Sequence, residues 1–289
     1  MIVDFHTHIF PSIFRNKRDT FFKDEPSFEL LYREPSSKMA GVEDLIEAMD
    51  RNKVHRAVVF GFPWKTSDYF KRNNDYVIEA ALHKHPDRLS GFSCFDPLIP
   101  GAAEEAERCF SEGLKGVGEL AVYDSPLTDE IVSRMSDVMG VCLAHDAPLL
   151  IHTNEPIGHQ YPGKQDITLK QIFNLVKTYP DNKIVLAHWG GGILFYMLLK
   201  KEVKEAFKNV WFDTAASPFL YSRDVYKTAG DIAGYDKILF GTDFPLLGAE
   251  RYFNEIESAK IEPGAAARIK GENAAQLLGV QDLTTKHTK

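Results

Sequence analysis

Apolar residues recur along the chain in eight short runs of aliphatic, β-branched or aromatic residues. Most of these runs are nearly continuous rather than alternating, which is typical of parallel strands covered on both faces. The predicted strands are Ile2–Ile9, Arg56–Pro63, Leu89–Pro97, Gly116–Tyr123, Ala147–Asn154, Lys183–Gly190, Val210–Ser217 and Ile238–Pro245. Successive runs begin about 30 residues from one another, except for a longer first interval, and this spacing suits repeated βα units.

Segments between these runs place apolar residues at i, i+3 and i+4, the spacing of an amphipathic helix. The predicted helices are Val42–Val54, Asp75–His85, Asp129–His145, Leu169–Tyr179 and Ile193–Phe207. Thr128 and Thr168 stand where N-caps are expected, and Pro86 and Pro180 each end a helical stretch.

Eight βα units in one chain predict an α/β fold, a single (β/α)8 TIM barrel. An open doubly wound sheet would carry fewer strands and often a glycine loop for phosphate, and neither GxGxxG nor GxxxxGK[ST] occurs. Residues 10–40 are rich in aromatic side chains and predict an inserted loop over the barrel mouth after the first strand. We expect one domain over residues 1–280 and a short tail over residues 281–289.

Composition narrows the class of protein further. The chain has 34 Lys and Arg against 41 Asp and Glu, and this net charge of −7 gives no electrostatic reason to expect nucleic acid or an anionic membrane as a partner. No apolar run reaches the roughly 18–20 residues of a membrane span, and the N-terminus lacks a signal-peptide pattern. Cys94, Cys109 and Cys142 are predicted to be reduced thiols, so a cytoplasmic location is expected.

Two histidines on the first predicted strand suggest a metal site. His6 and His8 are two residues apart, so their side chains share one face of the strand and lie about 6–7 Å apart along it. Two imidazoles at that spacing can chelate one ion. Asp4 shares the same face, either accepting a hydrogen bond from a ligating histidine or lying buried at the base of the barrel.

Further titratable residues follow near the ends of four other predicted strands: Glu119, His152, His188 and Asp243. The carboxyl ends of barrel strands meet at one mouth, so we expect these side chains to converge with His6 and His8. A lone strand-end histidine is usually structural, but five strands ending this way would be a rare coincidence. Imidazoles with carboxylates favour Zn²⁺, or another first-row ion such as Mn²⁺.

Four motifs in this order resemble the amidohydrolase superfamily, and most of all its amidohydrolase-related branch. They are Asp4-Phe-His-Thr-His, Ile151-His152-Thr, Ala187-His188-Trp-Gly-Gly and Gly241-Thr242-Asp243-Phe-Pro. The segment from Ile269 to Gly279 is similar to the closing helix of that branch, so the likeness spans nearly the whole chain.

The resemblance implies a (β/α)8 barrel with a metal at its mouth. It implies His6, His8, His152 and Asp243 as ligands, and His188 as a ligand or a catalytic acid/base. Many members carry a modified lysine on the fourth strand that bridges two metals, whereas this chain has Glu119. In TatD-like relatives a glutamate there bridges two metals, so the sequence leaves one or two ions open.

Metal-dependent hydrolysis of a small amide, lactone or ester is the leading functional hypothesis. A bound divalent ion lowers the pKa of its water, Asp243 would move the proton, and His188 would polarise the substrate carbonyl. The alternative is a metal-dependent non-oxidative decarboxylase of a small, aromatic carboxylic acid. A TatD-like nuclease and a barrel that only binds metal are further alternatives.

Substrate contacts are expected from the βα loops. The candidate residues are Trp64, Lys65, Tyr123, His159, Tyr161 and Lys164. Together these polar, aromatic and cationic side chains indicate a small-molecule substrate that is anionic or aromatic. A homodimer is compatible with the sequence, which does not fix the oligomeric state.

Overall fold

The computed structural model describes residues 1–199 and 201–280, and eight parallel strands form its centre. The strands are β1 (Val3–His8), β2 (Arg56–Phe60), β3 (Leu89–Ser93), β4 (Gly116–Leu120), β5 (Leu149–Ile151), β6 (Ile184–Leu186), β7 (Val210–Asp213) and β8 (Ile238–Leu239). All eight predicted strands are confirmed. Each is shorter than its apolar run, because the run continues into the loop that follows the strand.

The strands follow one another around the sheet in chain order, each pairing in parallel with the next. β8 meets β1 to close the ring, where the Phe5 N–H donates to the Phe240 carbonyl (2.7 Å) and the His8 N–H donates to the Phe244 carbonyl (2.8 Å). The predicted (β/α)8 barrel is therefore confirmed.

The apolar core has an inner and an outer layer on the two faces of the strands. Along β2, Ala57 belongs to the layer beneath the helices and Phe60 to the layer inside the barrel, as the two-residue period of a strand requires. The pairing of β1 with β2 shifts register between Asp4 and Thr7. Phe5 therefore packs edge-to-face on Phe92 inside the barrel (5.7 Å between ring centres), although simple alternation places it on the face opposite His6.

Helices surround the strands. They are α1 (Ser12–Asn16), α2 (Pro26–Tyr32), α3 (Val42–Asn52), α4 (Ser67–Ile78), α5 (Ala102–Glu112), α6 (Asp129–Arg134), α7 (Ser136–Ala144), α8 (Leu169–Thr178), α9 (Lys201–Ala206), α10 (Ser217–Leu220), α11 (Asp224–Ala233), α12 (Ala249–Ser258), α13 (Pro263–Ala267) and α14 (Asn273–Leu278). Short 3₁₀ or π turns lie at Arg18–Phe21, Glu79–Lys84, His188–Leu198, Tyr235–Lys237 and Arg268–Glu272.

Some of the predicted helices are confirmed, two differ in their bounds, and one is wrong. The helix predicted over residues 42–54 is confirmed as α3, and that over 169–179 as α8, with Thr168 as its N-cap. Thr128 caps α6 in the same way, its hydroxyl accepting from the Ile131 N–H (3.3 Å). The helix predicted from residue 75 begins earlier, at Ser67, and the one over residues 129–145 breaks at Met135. The long helix predicted over residues 193–207 is wrong, because tight turns reach Leu198 before α9 begins.

Residues 10–40 contain α1, a 3₁₀ turn and α2, held on the barrel by aromatic packing. The ring of Trp64 lies 4.5 Å from that of Phe14 and 4.4 Å from that of Phe28. The Glu25 carboxylate accepts backbone N–H groups from the loop after β2. The domain limits expected from the sequence stay a prediction, and the expected tail over residues 281–289 lies outside the described residues.

All three cysteines are buried and free, as the sequence predicts. Within the described ranges, no helix has both the length and the apolar character that crossing a bilayer requires.

A glycine inside the barrel offers a test of this packing. A Cβ added to Gly116 would lie 2.5 Å from the Phe92 ring. We expect Gly116→Ala to lower the free energy of unfolding by about 1–3 kcal/mol through overpacking, as measured by urea denaturation. The loss should shrink in a Phe92→Leu background.

Gly140 in α7 is the matched control, because an added Cβ there meets no atom within 4 Å. Gly140→Ala should leave stability unchanged or raise it by about 0.5–1 kcal/mol, since it removes backbone freedom from a helix interior. Equal effects of the two substitutions would contradict this description of the core.

Candidate metal centre

Six side chains converge at the carboxyl ends of the strands, and β1 supplies the first two. The Nε2 atoms of His6 and His8 are 3.3 Å apart. Glu119, near the end of β4, places Oε2 at 3.6 Å from His6 Nε2 and 3.7 Å from His8 Nε2. Asp243, just beyond β8, places Oδ1 at 3.7 Å and 3.4 Å from the same two nitrogens.

The second half of the cluster shares Glu119 with the first. Glu119 Oε1 lies 3.1 Å from His152 Nδ1 and 3.4 Å from His188 Nε2. Two overlapping groups of potential ligands result, one of His6, His8 and Glu119 and one of Glu119, His152 and His188. The structure thus brings together all six residues that the sequence proposes as metal ligands, and their roles stay predictions.

The backbone bends sharply where two of these side chains enter the site. His188 and Asp243 have positive φ angles of 55° and 60°, the left-handed region that non-glycine residues rarely adopt. Hydrogen bonds fix both bends, from the His188 N–H to Asp213 Oδ1 (2.9 Å) and from the Asp243 N–H to the His6 carbonyl (3.0 Å). Such conformations persist where the surrounding structure holds them, often at functional sites.

Hydrogen bonds on the outer nitrogens orient three of the imidazoles. Nδ1 of His6 lies 2.8 Å from Asp213 Oδ2, Nδ1 of His8 lies 2.9 Å from the Gly61 carbonyl, and Nδ1 of His188 lies 3.0 Å from the Ala215 carbonyl. These partners are all acceptors, so in the neutral ring Nδ1 carries the hydrogen and Nε2 carries a lone pair. Three Nε2 lone pairs therefore point into the cluster.

Charge in the cluster favours a cation. Burial would lower the pKa of His6, but the carboxylates of Glu119 and Asp213 raise it well above its usual value. Burial would also lower the pKa of His188, but the hydrogen bond to Glu119 raises it to about 9. Burial would raise the pKa of Asp243, yet the hydrogen bond to His8 and the nearby charges lower it to about 2.

These residues fit a divalent metal. Lone pairs of His6 and His8 face each other and the Glu119 carboxylate, an arrangement of acceptors that needs a positive charge between them. His152 donates Nδ1 to Glu119, and its buried Nε2 has no hydrogen-bond partner within the described chain. Imidazole nitrogen with carboxylate oxygen is a donor set that suits first-row ions such as Zn²⁺ and Mn²⁺.

Asp213 is a site residue that the sequence reasoning missed. Its buried carboxylate orients His6 and also accepts the N–H groups of His188 and Ala215. The signal that found Glu119 also applies to Asp213, since it is an acid at the end of a predicted strand. Asp4 does not accept from a ligand ring: it accepts the Thr242 hydroxyl (2.6 Å) and two backbone N–H groups, and so anchors the turn before Asp243.

A cavity of about 500 Å³ opens above the cluster. It reaches His8, Glu119, His152, His188 and Asp243, and its other walls are mostly aromatic and apolar. The remaining lining residues are Leu31, Tyr32, Ser37, Lys38, Phe62, Tyr123, His159, Tyr161, Pro162, Gly163, Ala216, Phe219, Leu220, Pro245 and Leu246. Tyr123, His159 and Tyr161 are thus at the pocket, as the sequence suggests.

Three of the expected substrate contacts do not line this cavity. Trp64 is fully buried in the aromatic cluster beneath residues 10–40, where its Nε1 donates to Asn73 (3.0 Å). Lys65 pairs with Asp124 rather than lining the cavity. Lys164 is buried against Glu155 inside its own loop. Sequence position after a strand does not show which way a side chain points, and in these three cases the side chain has partners outside the pocket lining.

Comparison with known proteins agrees with the geometry. The amidohydrolase family matches the chain over residues 3–280, and the chain belongs to this family.

Three relatives illustrate the range of similarity. The gamma-resorcylate decarboxylase of Polaromonas sp. (strain JS666) is 24% identical over 256 residues, covering 74% of this chain and 77% of its own. The crystal structure of 5-carboxyvanillate decarboxylase from Sphingomonas paucimobilis superposes with a TM-score of 0.78 at 18% identity, covering 97% and 99% of the two chains. A dihydroxybenzoic acid decarboxylase from Polaromonas sp. JS666, solved with manganese and 2-nitroresorcinol, has a TM-score of 0.70 at 20% identity, covering 99% of both.

Removing two of the proposed ligands at once tests the site. We expect the purified protein to contain a divalent first-row ion and the variant with His6→Ala and His8→Ala to lose most of it, as measured by elemental analysis. The number of ions per chain follows from the same measurement. Full metal content in the double variant would show that the site lies elsewhere.

Asp213 provides a second test, because it contacts the proposed ligand His6 and is not part of the pocket lining. We expect Asp213→Asn to weaken metal binding about 10–100-fold, the usual effect of losing the partner that orients a ligating histidine. Titration of the metal-free protein with Mn²⁺ measures this directly. Asp231→Asn is the control, since that carboxylate pairs with Lys227 on the surface, and a similar loss there would contradict the assignment.

Proposed function

We propose that this protein is a non-oxidative decarboxylase of a small aromatic carboxylic acid, dependent on a divalent cation. One observation carries the proposal: the ligand cluster forms the floor of a pocket whose walls are mostly aromatic and apolar. Pockets of about 300–1,000 Å³ hold small ligands, so a cavity of about 500 Å³ suits a single substituted ring.

An aromatic wall leads from residues 10–40 down to the cluster. The Tyr32 and Phe62 ring centres are 6.0 Å apart, and Tyr123 lies parallel to Phe62 at 6.0 Å with an interplanar angle of 8°. The ring centre of Tyr123 is 5.6 Å from that of His152. A planar substrate ring can lie against these faces, with its carboxylate directed to the cluster, because offset and edge contacts between rings are favourable.

The names of the relatives support decarboxylation over the hydrolysis that leads the sequence analysis. The relatives described above are named as decarboxylases of gamma-resorcylate, 5-carboxyvanillate and dihydroxybenzoic acid. An apolar wall is also well suited to a ring and poorly suited to the polar flanks of an amide. The manganese in one of these structures supports Mn²⁺ beside Zn²⁺ as the ion.

The reaction breaks the bond between the ring carbon and the carboxyl carbon. Its electron pair stays on the ring carbon, which takes up a proton, and carbon dioxide leaves. A divalent cation bound at His6, His8, His152 and Glu119 would supply positive charge that holds the carboxylate and stabilises negative charge on the ring. We assign Asp243, whose side chain is 19% exposed and lines the pocket, to relay a proton from solvent to the ring carbon, since its lowered pKa keeps it a carboxylate between transfers. We assign His188, 8% exposed, to the cation site.

Two hydroxyl groups on the wall are suited to a polar substituent of the ring. Within the described ranges, neither the Tyr32 nor the Tyr123 hydroxyl has a hydrogen-bond partner, although both side chains are half-buried at the pocket. A phenol is uncharged at neutral pH and can donate or accept. These hydroxyls would therefore favour substrates that carry an oxygen substituent.

Product analysis tests the proposal. With Mn²⁺ or Zn²⁺ bound, we expect 2,6-dihydroxybenzoate or 5-carboxyvanillate to give carbon dioxide and the corresponding arene in equal amounts. In heavy water the arene should carry one deuterium at the former carboxyl position. Asp243→Asn should slow the reaction about 10²–10⁴-fold, the usual contribution of a positioned proton donor.

Binding of 2-nitroresorcinol serves as the control for Asp243→Asn, because an intact pocket should still take up this compound. Hydrolysis is the contrary outcome. If the protein releases no carbon dioxide from these acids but incorporates ¹⁸O from water into the products of a lactone or amide panel, the decarboxylase assignment is wrong.

A further inference from the structure

The loop between β5 and α8 is long and irregular, yet internally bonded. No helix or strand interrupts residues 152–168. Ordered loops of this length without regular structure are uncommon and are usually functional. His159, Tyr161, Pro162 and Gly163 of this loop form part of the pocket wall.

Asn154 closes the base of the loop. Its Oδ1 accepts the Gln165 N–H (2.8 Å), and its Nδ2 donates to the Gln165 carbonyl (3.1 Å), so the two ends of the loop are joined. A Cβ on Gly191 would lie 2.2 Å from the Asn154 carbonyl oxygen, so the turns after β6 pack directly on this base.

A half-buried ion pair lies just inside that closure. Lys164 Nζ is 2.8 Å from Glu155 Oε1, and the two side chains are 4% and 21% exposed. Nζ also donates to the carbonyls of Ile157 (3.0 Å) and His159 (3.2 Å). An ammonium has three N–H donors, and each of these three has an acceptor within the loop, so Lys164 has none left for a substrate.

Glu155 also connects the ion pair to the pocket wall. Its second oxygen, Oε2, accepts the Tyr161 hydroxyl (3.0 Å), and the Tyr161 ring lies edge-on to His159 (5.9 Å). One ion pair thereby fixes the backbone at residues 157 and 159 and the ring of Tyr161.

We propose that the Glu155–Lys164 ion pair is a positioning clamp that holds His159 and Tyr161 in the pocket wall before any ligand binds, without itself contacting the ligand. The choice of aromatic acids as test ligands rests on the proposed function, whereas the role of the ion pair in holding the loop does not. The rival role for Lys164 is direct binding of the substrate anion, and the two roles differ in what they predict for an uncharged ligand.

The experiment compares benzoate with benzamide, which share a ring and differ in charge. Ligand-observed NMR titrations of the wild-type protein give the dissociation constants of benzoate and benzamide. The protein is loaded either with Zn²⁺ or with trace amounts of Mn²⁺. In Lys164→Met we expect both constants to rise by a similar factor of about ten, because two pocket side chains then have to be ordered on binding. The amide hydrogens of residues 164 and 165, which donate to the Tyr161 carbonyl (3.1 Å) and to Asn154 Oδ1 (2.8 Å), should exchange at least tenfold faster, with those of the strands unchanged.

Two matched variants complete the test. Lys164→Arg keeps the charge and should restore most of the lost affinity. Lys177→Met removes an exposed ion pair with Glu202 (3.0 Å) and should change neither affinity nor exchange in the loop.

Loss of affinity for benzoate alone would overturn the proposal in favour of direct anion binding. Unchanged affinity for both ligands, or unchanged exchange in the loop, would also overturn it. If the wild-type protein binds neither compound, the proposed ligand class fails, and faster exchange confined to the amides of residues 164 and 165 in Lys164→Met still supports the clamp.

Discussion

The structure is organised around a cluster of imidazole nitrogens and carboxylate oxygens that lie close together at the barrel mouth. Lone pairs of His6 and His8 face each other at 3.3 Å, with the Glu119 carboxylate 3.6–3.7 Å from both. Partners on the far side of each ring fix this arrangement, so the rings cannot turn away to relieve the repulsion without giving up those bonds. A cation resolves the conflict, and much of the barrel mouth serves to hold these acceptors in place.

The apolar pattern was enough to predict the barrel, because parallel strands buried on both faces leave near-continuous runs that few other structures produce. It also predicted which residues meet, since strand ends must converge in a closed ring. It failed where the outcome depends on side-chain direction or on loop conformation. Lys164 has the chemistry of an anion-binding residue, but its direction depends on Glu155, which pairs with it through a loop whose shape leaves no periodic signal. The turns after His188 read as a helix because their apolar residues share its spacing.

Hydrolysis and decarboxylation need nearly the same ligands, so the ligand motifs do not separate them. The difference lies in what surrounds the metal. A hydrolase has to admit water beside a polar carbonyl, whereas decarboxylation has to hold a ring and protonate one of its carbons. Tyr32, Phe62 and Tyr123 provide a wall for a ring, and Tyr32 comes from the segment inserted after β1. Under the proposed function, the choice between the two reactions would therefore depend on wall residues that are not among the proposed metal ligands.

The seam between β1 and β8 makes the site depend on the order in which the chain is made. Asp243 donates its N–H to the carbonyl of His6, so the two ends of the barrel meet at the proposed ligands themselves. A ribosome-bound chain that has not reached residue 243 carries His6 and His8 without that partner. Assembly of the complete set of proposed ligands should therefore require closure of the ring.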